Sequence, residues 1–168
     1  MASSDEFREF YQASYGRTLA TVAALVGTRH DAEDIVQEAY ARALARWTLL
    51  RGYQLPEAWV RKVALRLAID SGRRYRRRLA AAARLAAQRR ASSPEPGEDL
   101  KYGPLGTALL DLPMRERQVL VLHYLADLPV DAIAREFGLP VGTVKTRLSA
   151  GRRHLEERLA QHPEAVGQ

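Results

Sequence analysis

The chain has 168 residues, enough for one large domain or two small ones. With no cysteine it can hold neither a disulfide framework nor a thiolate metal site, and its four scattered histidines never fall at ligand spacing. The net charge of +6 is unevenly placed: residues 61–90 hold 11 basic and 1 acidic side chains and residues 143–168 carry +2, while residues 1–60 and 91–142 are net acidic.

Two basic segments set between acidic ones point to two contacts with a polyanion. No apolar run approaches the roughly 20 residues that span a bilayer. The opening "MASSDEFREF" is acidic and lacks the basic-then-apolar order of a signal peptide. A soluble, cytoplasmic protein without membrane insertion is the expectation.

Helical periodicity dominates, and no stretch alternates like a strand. Ser3-x-x-Glu6 reads as a capping box before a first helix that carries Phe7, Tyr11, Ser14, Leu19, Val22 and Val26 on one side and ends at Gly27. Asp31 is the expected cap of a second helix, where Ala32, Ile35, Val36, Ala39, Ala43 and Trp47 recur at i, i+3, i+4 spacing. After a loop marked by Gly52 and Pro56, a third helix is expected over about residues 57–88. The next stretch, "ASSPEPGEDLKYGPLG", is too rich in proline, glycine and acid to bury apolar surface that would offset its ordering entropy. The fold class is therefore all-α: a helical domain over residues 1–90, a flexible linker over 91–103 and a second helical domain over 104–168. Helices are expected near 105–111, 114–125, 129–137 and 141–160, with Pro113 and Pro129 in first turns, where proline is accepted.

In the second domain, Ala134, Gly138 and Val144 have the order a helix-turn-helix requires. A small residue lies at the helix crossing, a glycine able to take φ > 0 sits in the turn, and an aliphatic residue packs the second helix back. Ile133, Leu139 and Leu148 complete that core, and Pro140 can start the second helix. Thr143, Lys145, Thr146, Arg147 and Ser149 then face outward, followed by Arg152 and Arg153. Such side chains suit base edges and phosphates in a major groove.

In the first domain, Asp34, Gln37, Glu38 and Ala41 share the side of the second helix opposite its apolar stripe, a face suited to a basic protein surface. On the third helix, Lys62, Arg66, Arg73 and Arg77 project within an arc of about 60°, against the apolar side of Val60, Val63, Ala64, Leu67 and Ala68. Trp59 borders that stripe and Tyr53 lies in the loop before it. Cations flanked by aromatic rings suit single-stranded nucleic acid, whose bases stack while its phosphates pair. Taken singly, Trp47 and Trp59 are better explained as core.

With these residues on view, nearly the whole chain resembles the extracytoplasmic-function sigma factors of the sigma-70 family. "DAEDIVQEAYARAL" looks like the family's polymerase-binding helix, "PEAWVRKVALRLAIDSGRR" is similar to its promoter-melting and −10 helix, and "LPMRERQVLVLHYLADLPVDAIAREFGLPVGTVKTRL" resembles its −35-reading region. The resemblance implies that Asp34, Gln37, Glu38 and Ala41 dock on the β′ clamp helices of core RNA polymerase, with the β flap as a second contact. It implies that residues 47–56 capture a flipped −10 base, a step whose unstacking costs a few kcal/mol. Tyr53, Trp59, Lys62, Arg66, Arg73, Arg74 and Arg77 would hold the melted strand, and Thr143, Lys145, Thr146, Arg147, Ser149 and Arg152 the −35 duplex. Promoter DNA and core polymerase are the expected partners, with an anti-sigma factor as a further candidate.

Four positions depart from the family pattern. Leu65-Arg66 stands where Arg-Asn is frequent, and Gly72 and Gly151 sit inside helices, each at about 1 kcal/mol of helix propensity. No acid/base pair, activated nucleophile or phosphate loop is legible, so neither catalysis, metal nor cofactor is expected. Two alternatives remain at this stage: a dimeric helix-turn-helix regulator that binds duplex without polymerase, and an RNA-binding antiterminator.

Overall fold

A computed structural model describes residues 2–86 and 103–161, and every regular element among them is helical. The expected linker therefore lies outside the described residues except for Gly103. The first half contains α1 (Ala2–Val26), α2 (Arg29–Ala45), a single turn α3 (Trp47–Leu50) and α4 (Pro56–Ala86). The second contains α5 (Pro104–Leu110), α6 (Met114–Leu120), α7 (Val130–Phe137) and α8 (Val141–Ala160).

Each boundary has a local cause. Gly27 ends α1 in the left-handed region at φ 87°, where L side chains are disfavoured. Its amide donates to Ala23 O at 3.1 Å. The cap of α2 is Thr28 rather than Asp31: Thr28 Oγ1 accepts from the Asp31 amide and donates to the Asp31 carboxylate, a reciprocal box in which Asp31 closes the first turn. Ser3 likewise lies inside α1 rather than at its cap, because the helix already runs at Ala2. Pro113, Pro129 and Pro140 stand one position before α6, α7 and α8, as N-caps with extended ψ. The short α3 lies where the sequence suggests only loop.

The core of the first half is aromatic at one end and aliphatic at the other. Trp47 is buried between Phe10, stacked at 5.0 Å between ring centroids, and Phe7, edge-on at 5.3 Å. Tyr40 meets Tyr11 edge-on at 5.0 Å and sends its hydroxyl to Ser14 Oγ at 2.7 Å. Beyond these, Val22, Leu25, Val36, Val60, Ala64 and Leu65 are wholly enclosed.

In the second half, α6 and α8 cross closely. A Cβ on Gly151 would stand 3.0 Å from Leu120 Cδ1, so this glycine is a packing requirement where the sequence shows only lost helix propensity. Glu116, buried beneath it, accepts a hydrogen bond from His154 Nδ1 at 2.7 Å. After Leu120 the helix widens into a π-turn over Val121–Leu125, closed by the Ala126 amide on Val121 O at 3.0 Å. The chain then turns through Asp127, whose φ of 54° is left-handed.

The two halves share one continuous apolar cluster. Leu110 of α5 lies against Gly27, 3.2 Å from where a Cβ would be. Within the first half Arg17 clamps Glu57 through two bonds of 2.9 and 2.7 Å and Arg61 donates to the same carboxylate at 3.1 Å; Arg61 also crosses to Leu125 O at 3.3 Å. No helix among the described residues is long and apolar enough to cross a membrane.

Candidate nucleic-acid interface

The helix-turn-helix forms as its spacing predicts. Ala134 is buried at the crossing, Gly138 takes the left-handed turn at φ 63°, and Val144 and Leu148 pack α8 onto α7. The buried seam of α8 is Val144, Leu148 and Gly151. Opposite it stand Thr146, Ser149 and Arg153, all exposed, with Lys145 on one flank and Thr143 and Arg147, both half-buried, on the other.

Two residues of this set differ from expectation. Thr146 Oγ1 donates to Gly142 O at 2.8 Å, so its proton is taken by the helix backbone and the oxygen offers only acceptor capacity outward. Arg152 turns back to Tyr124 Oη at 2.9 Å and lines an apolar groove of about 300 Å³ with Leu109, Leu120, Val121 and Leu155. Arg153, at the middle of the exposed face, is the better-placed cation; helical projection alone separates the two.

On α4 the apolar side is buried as expected at Val60, Ala64 and Ala68, with Val63 and Leu67 half-buried and Leu65 and Ile69 added. Of the basic stripe, Arg74 and Arg77 are exposed, and the side chain of Arg73 lies outside the described residues. Lys62 and Arg66 are engaged. Lys62 Nζ donates to Glu136 Oε1, and Arg66 Nη2 donates to Glu136 O at 2.7 Å and Oε2 at 3.1 Å. The Arg66 guanidinium also lies 5.8 Å from the centre of the Phe137 ring. Bonding to Lys62 holds the Glu136 carboxyl below its ordinary pKa, with Arg66 and Arg135 adding to the effect against partial burial.

Trp59 is half-buried against the core, whereas Tyr53 is exposed. Near Tyr53 in the chain, Leu49 and Leu55 stand 63% and 70% exposed, just before α4 begins. Sequence periodicity gives no signal for them because they lie in the short α3 and the loop after it.

On α2, Asp34, Gln37, Glu38 and Ala41 all face solvent. Both acids have partners on their own helix: Arg42 donates to Glu38 at 2.7 Å, and His30 Nε2 lies 3.5 Å from Asp34. Leu44, 55% exposed, extends the same face by one turn; its i+3 spacing from Ala41 would have revealed it.

Known proteins place these surfaces in context. The family description "Sigma-70 region 2" matches residues 10–78, and "Sigma-70, region 4" matches residues 102–155. The ECF RNA polymerase sigma factor SigW of Bacillus subtilis is 31% identical over 147 residues, covering 80% of this chain and 79% of its own. EcfG of Rhodopseudomonas palustris is 30% identical, covering 92% and 86%. SigE of Mycolicibacterium smegmatis is 32% identical over 151 residues; the match covers 86% of this chain and 58% of that longer relative. In three dimensions the chain resembles the sigma factor RpoE of Bartonella quintana, solved with the anti-sigma factor NepR. The TM-score is 0.64 at 24% identity, covering 92% of this chain and 97% of that one, a likeness of fold.

Proposed function

This chain belongs to the extracytoplasmic-function sigma factors of the sigma-70 family, and we propose that it binds core RNA polymerase and directs promoter-specific initiation. Its second half reads the upstream −35 element as duplex, and its first half holds the opened −10 element. What supports this reading is a pair of surfaces with different chemistry. One is a helix-turn-helix whose α8 presents Lys145, Ser149 and Arg153; the other is a cationic α4 preceded in the chain by exposed Leu49, Tyr53 and Leu55. Donors and cations on a helix of major-groove width suit paired DNA. Cations beside rings and apolar side chains suit unpaired bases.

Docking on the β′ clamp helices falls to Asp34, Gln37, Glu38 and Ala41, with Leu44 supplying apolar area beside them. The open groove along α6 and α8 supplies an apolar seat for the β flap. By analogy with the RpoE–NepR complex, an anti-sigma factor joins the proposed partners.

The test is run-off transcription with core polymerase on a promoter mapped by start-site sequencing after overexpression. Lys145→Ala with Arg153→Ala is expected to abolish initiation on normal and pre-melted templates alike. Arg74→Ala with Arg77→Ala is expected to fail on the normal template and recover on one with a mismatched −10 bubble. No gain in specific initiation over core enzyme alone rejects the proposal. Tight duplex binding by a free dimer would support the regulator reading instead.

A further inference from the structure

We propose that Glu136 of α7 is an internal plug for the strand-binding stripe of α4, so that the free chain has a closed state in which its second half masks its first. The inference rests on the reading that the stripe holds unpaired DNA.

Glu136 presents to α4 the chemistry that a phosphate would. Its carboxylate is bracketed by Lys62 and Arg66, and its own backbone carbonyl takes a second bond from Arg66. Phe137 follows under the same guanidinium, as a base would stack on it. Cation, acceptor oxygens and ring thus reproduce within the chain what the stripe would find on a nucleotide. The Glu136 side chain is 22% exposed and those of Lys62 and Arg66 are 41% and 52% exposed, so competing phosphates can reach the cations from solvent.

The contact does not stand alone. Arg61, one residue before Lys62, reaches across to Leu125 O at 3.3 Å, and Gly27 seats Leu110, so the closed state is held at three places. Only part of the molecule is masked. Arg74 and Arg77 lie beyond the contact, and the outward face of α8 remains exposed. In the closed state the duplex reader stays available while the strand holder is occupied. A strand and Glu136 compete for the same cations, so strand binding must open the chain, and opening must favour strand binding to the same degree.

The absence of cysteine allows a direct measurement. Gln12→Cys on α1 and Glu157→Cys on α8, both exposed positions, accept a fluorophore pair that reports the separation of the halves. Glu136→Gln removes the charge and Glu136→Lys reverses it. Energy transfer is expected to fall in the order wild type, Glu136→Gln, Glu136→Lys, and to fall in wild type as salt rises. Affinity for a single-stranded oligonucleotide is expected to rise about 3- to 10-fold in the Glu136→Lys chain, the scale of one partly exposed ion-pair network. Adding Lys62→Glu to Glu136→Lys is expected to restore energy transfer, which separates a lost contact from a misfolded domain. Unchanged energy transfer in both single variants overturns the plug. Opening without tighter strand binding shows that the halves latch but that α4 is not the strand holder, which overturns the masking together with the reading beneath it.

Discussion

Tyr40 shows how single atoms set the geometry of the first half. Its ring fills the space between α1 and α2, and its hydroxyl donates its one proton to the buried Ser14 Oγ at 2.7 Å, with Thr18 Oγ1 3.3 Å away. Ser14 and Thr18 each also donate to a carbonyl four residues back, so both remain partnered if Tyr40 loses its oxygen. Tyr40→Phe is therefore expected to cost about 1 kcal/mol, the value of a buried hydrogen bond without a charged partner, read as a lower urea midpoint at unchanged slope. Burial raises the Tyr40 pKa, opposed by its bonds to Ser14 and Thr18. Its stabilising share is accordingly complete below the ordinary value of 10.0 and lost as pH climbs through the raised one.

Two glycines that look alike in a helical sequence play opposite parts as elements pack. Gly72 sits in α4 with nothing within 4 Å of where a Cβ would be. Gly72→Ala should stabilise by about 0.5–1 kcal/mol, raising Tm by about 2–4 °C per kcal/mol for a chain of this size. Gly151 faces the enclosed Leu120 across the α6–α8 crossing. Gly151→Ala gains the same propensity but must displace Leu120 and the Glu116 side chain, and overpacking of that kind costs about 1–3 kcal/mol. A net loss near 1 kcal/mol is expected, seen as a lower Tm. A rise in Tm for both variants would show that the crossing has room. At this scale the starts of α4 to α8 were legible to within one residue from proline, glycine and period, but the π-turn that ends the expected helix over 114–125 was not. The turn α3 was not, because four residues are too few to display a helical repeat.

Across the whole molecule, charge pairs flank the apolar cluster that the halves share. Glu57 lies at the node of Arg17 from α1 and Arg61 from its own helix, and Arg61 continues to Leu125 O and to within 3.9 Å of Asp127. Its hydrogen bond from Arg17 lowers the Glu57 pKa below the ordinary 4.5, as bonding to Lys62 lowers that of Glu136. A depressed carboxylate pKa adds stability above the ordinary value, and that share is lost as pH falls through the depressed one. Thermal stability is thus expected to hold near neutrality and to decline from about pH 4.5 downward, with a shallower decline in Glu57→Gln. Light scattering and circular dichroism across that range check the expectation; a profile unchanged by Glu57→Gln would remove this node from the account.

The sequence by itself determined the helical class, the order of the two halves, the helix-turn-helix at Gly138 and the basic stripe on α4. All of these are local: a 3.6-residue period, a glycine free to take φ > 0 and a proline with fixed φ are complete within a few turns of chain. Tertiary structure alone decided that Lys62 and Arg66 hold Glu136, 74 and 70 residues away, that Arg152 turns to Tyr124, and that Gly151 is needed rather than tolerated. These depend on how packed helices meet, through contacts between distant residues whose individual energies are small. No window of the sequence contains both partners of such a contact, and only the assembled fold brings them within reach.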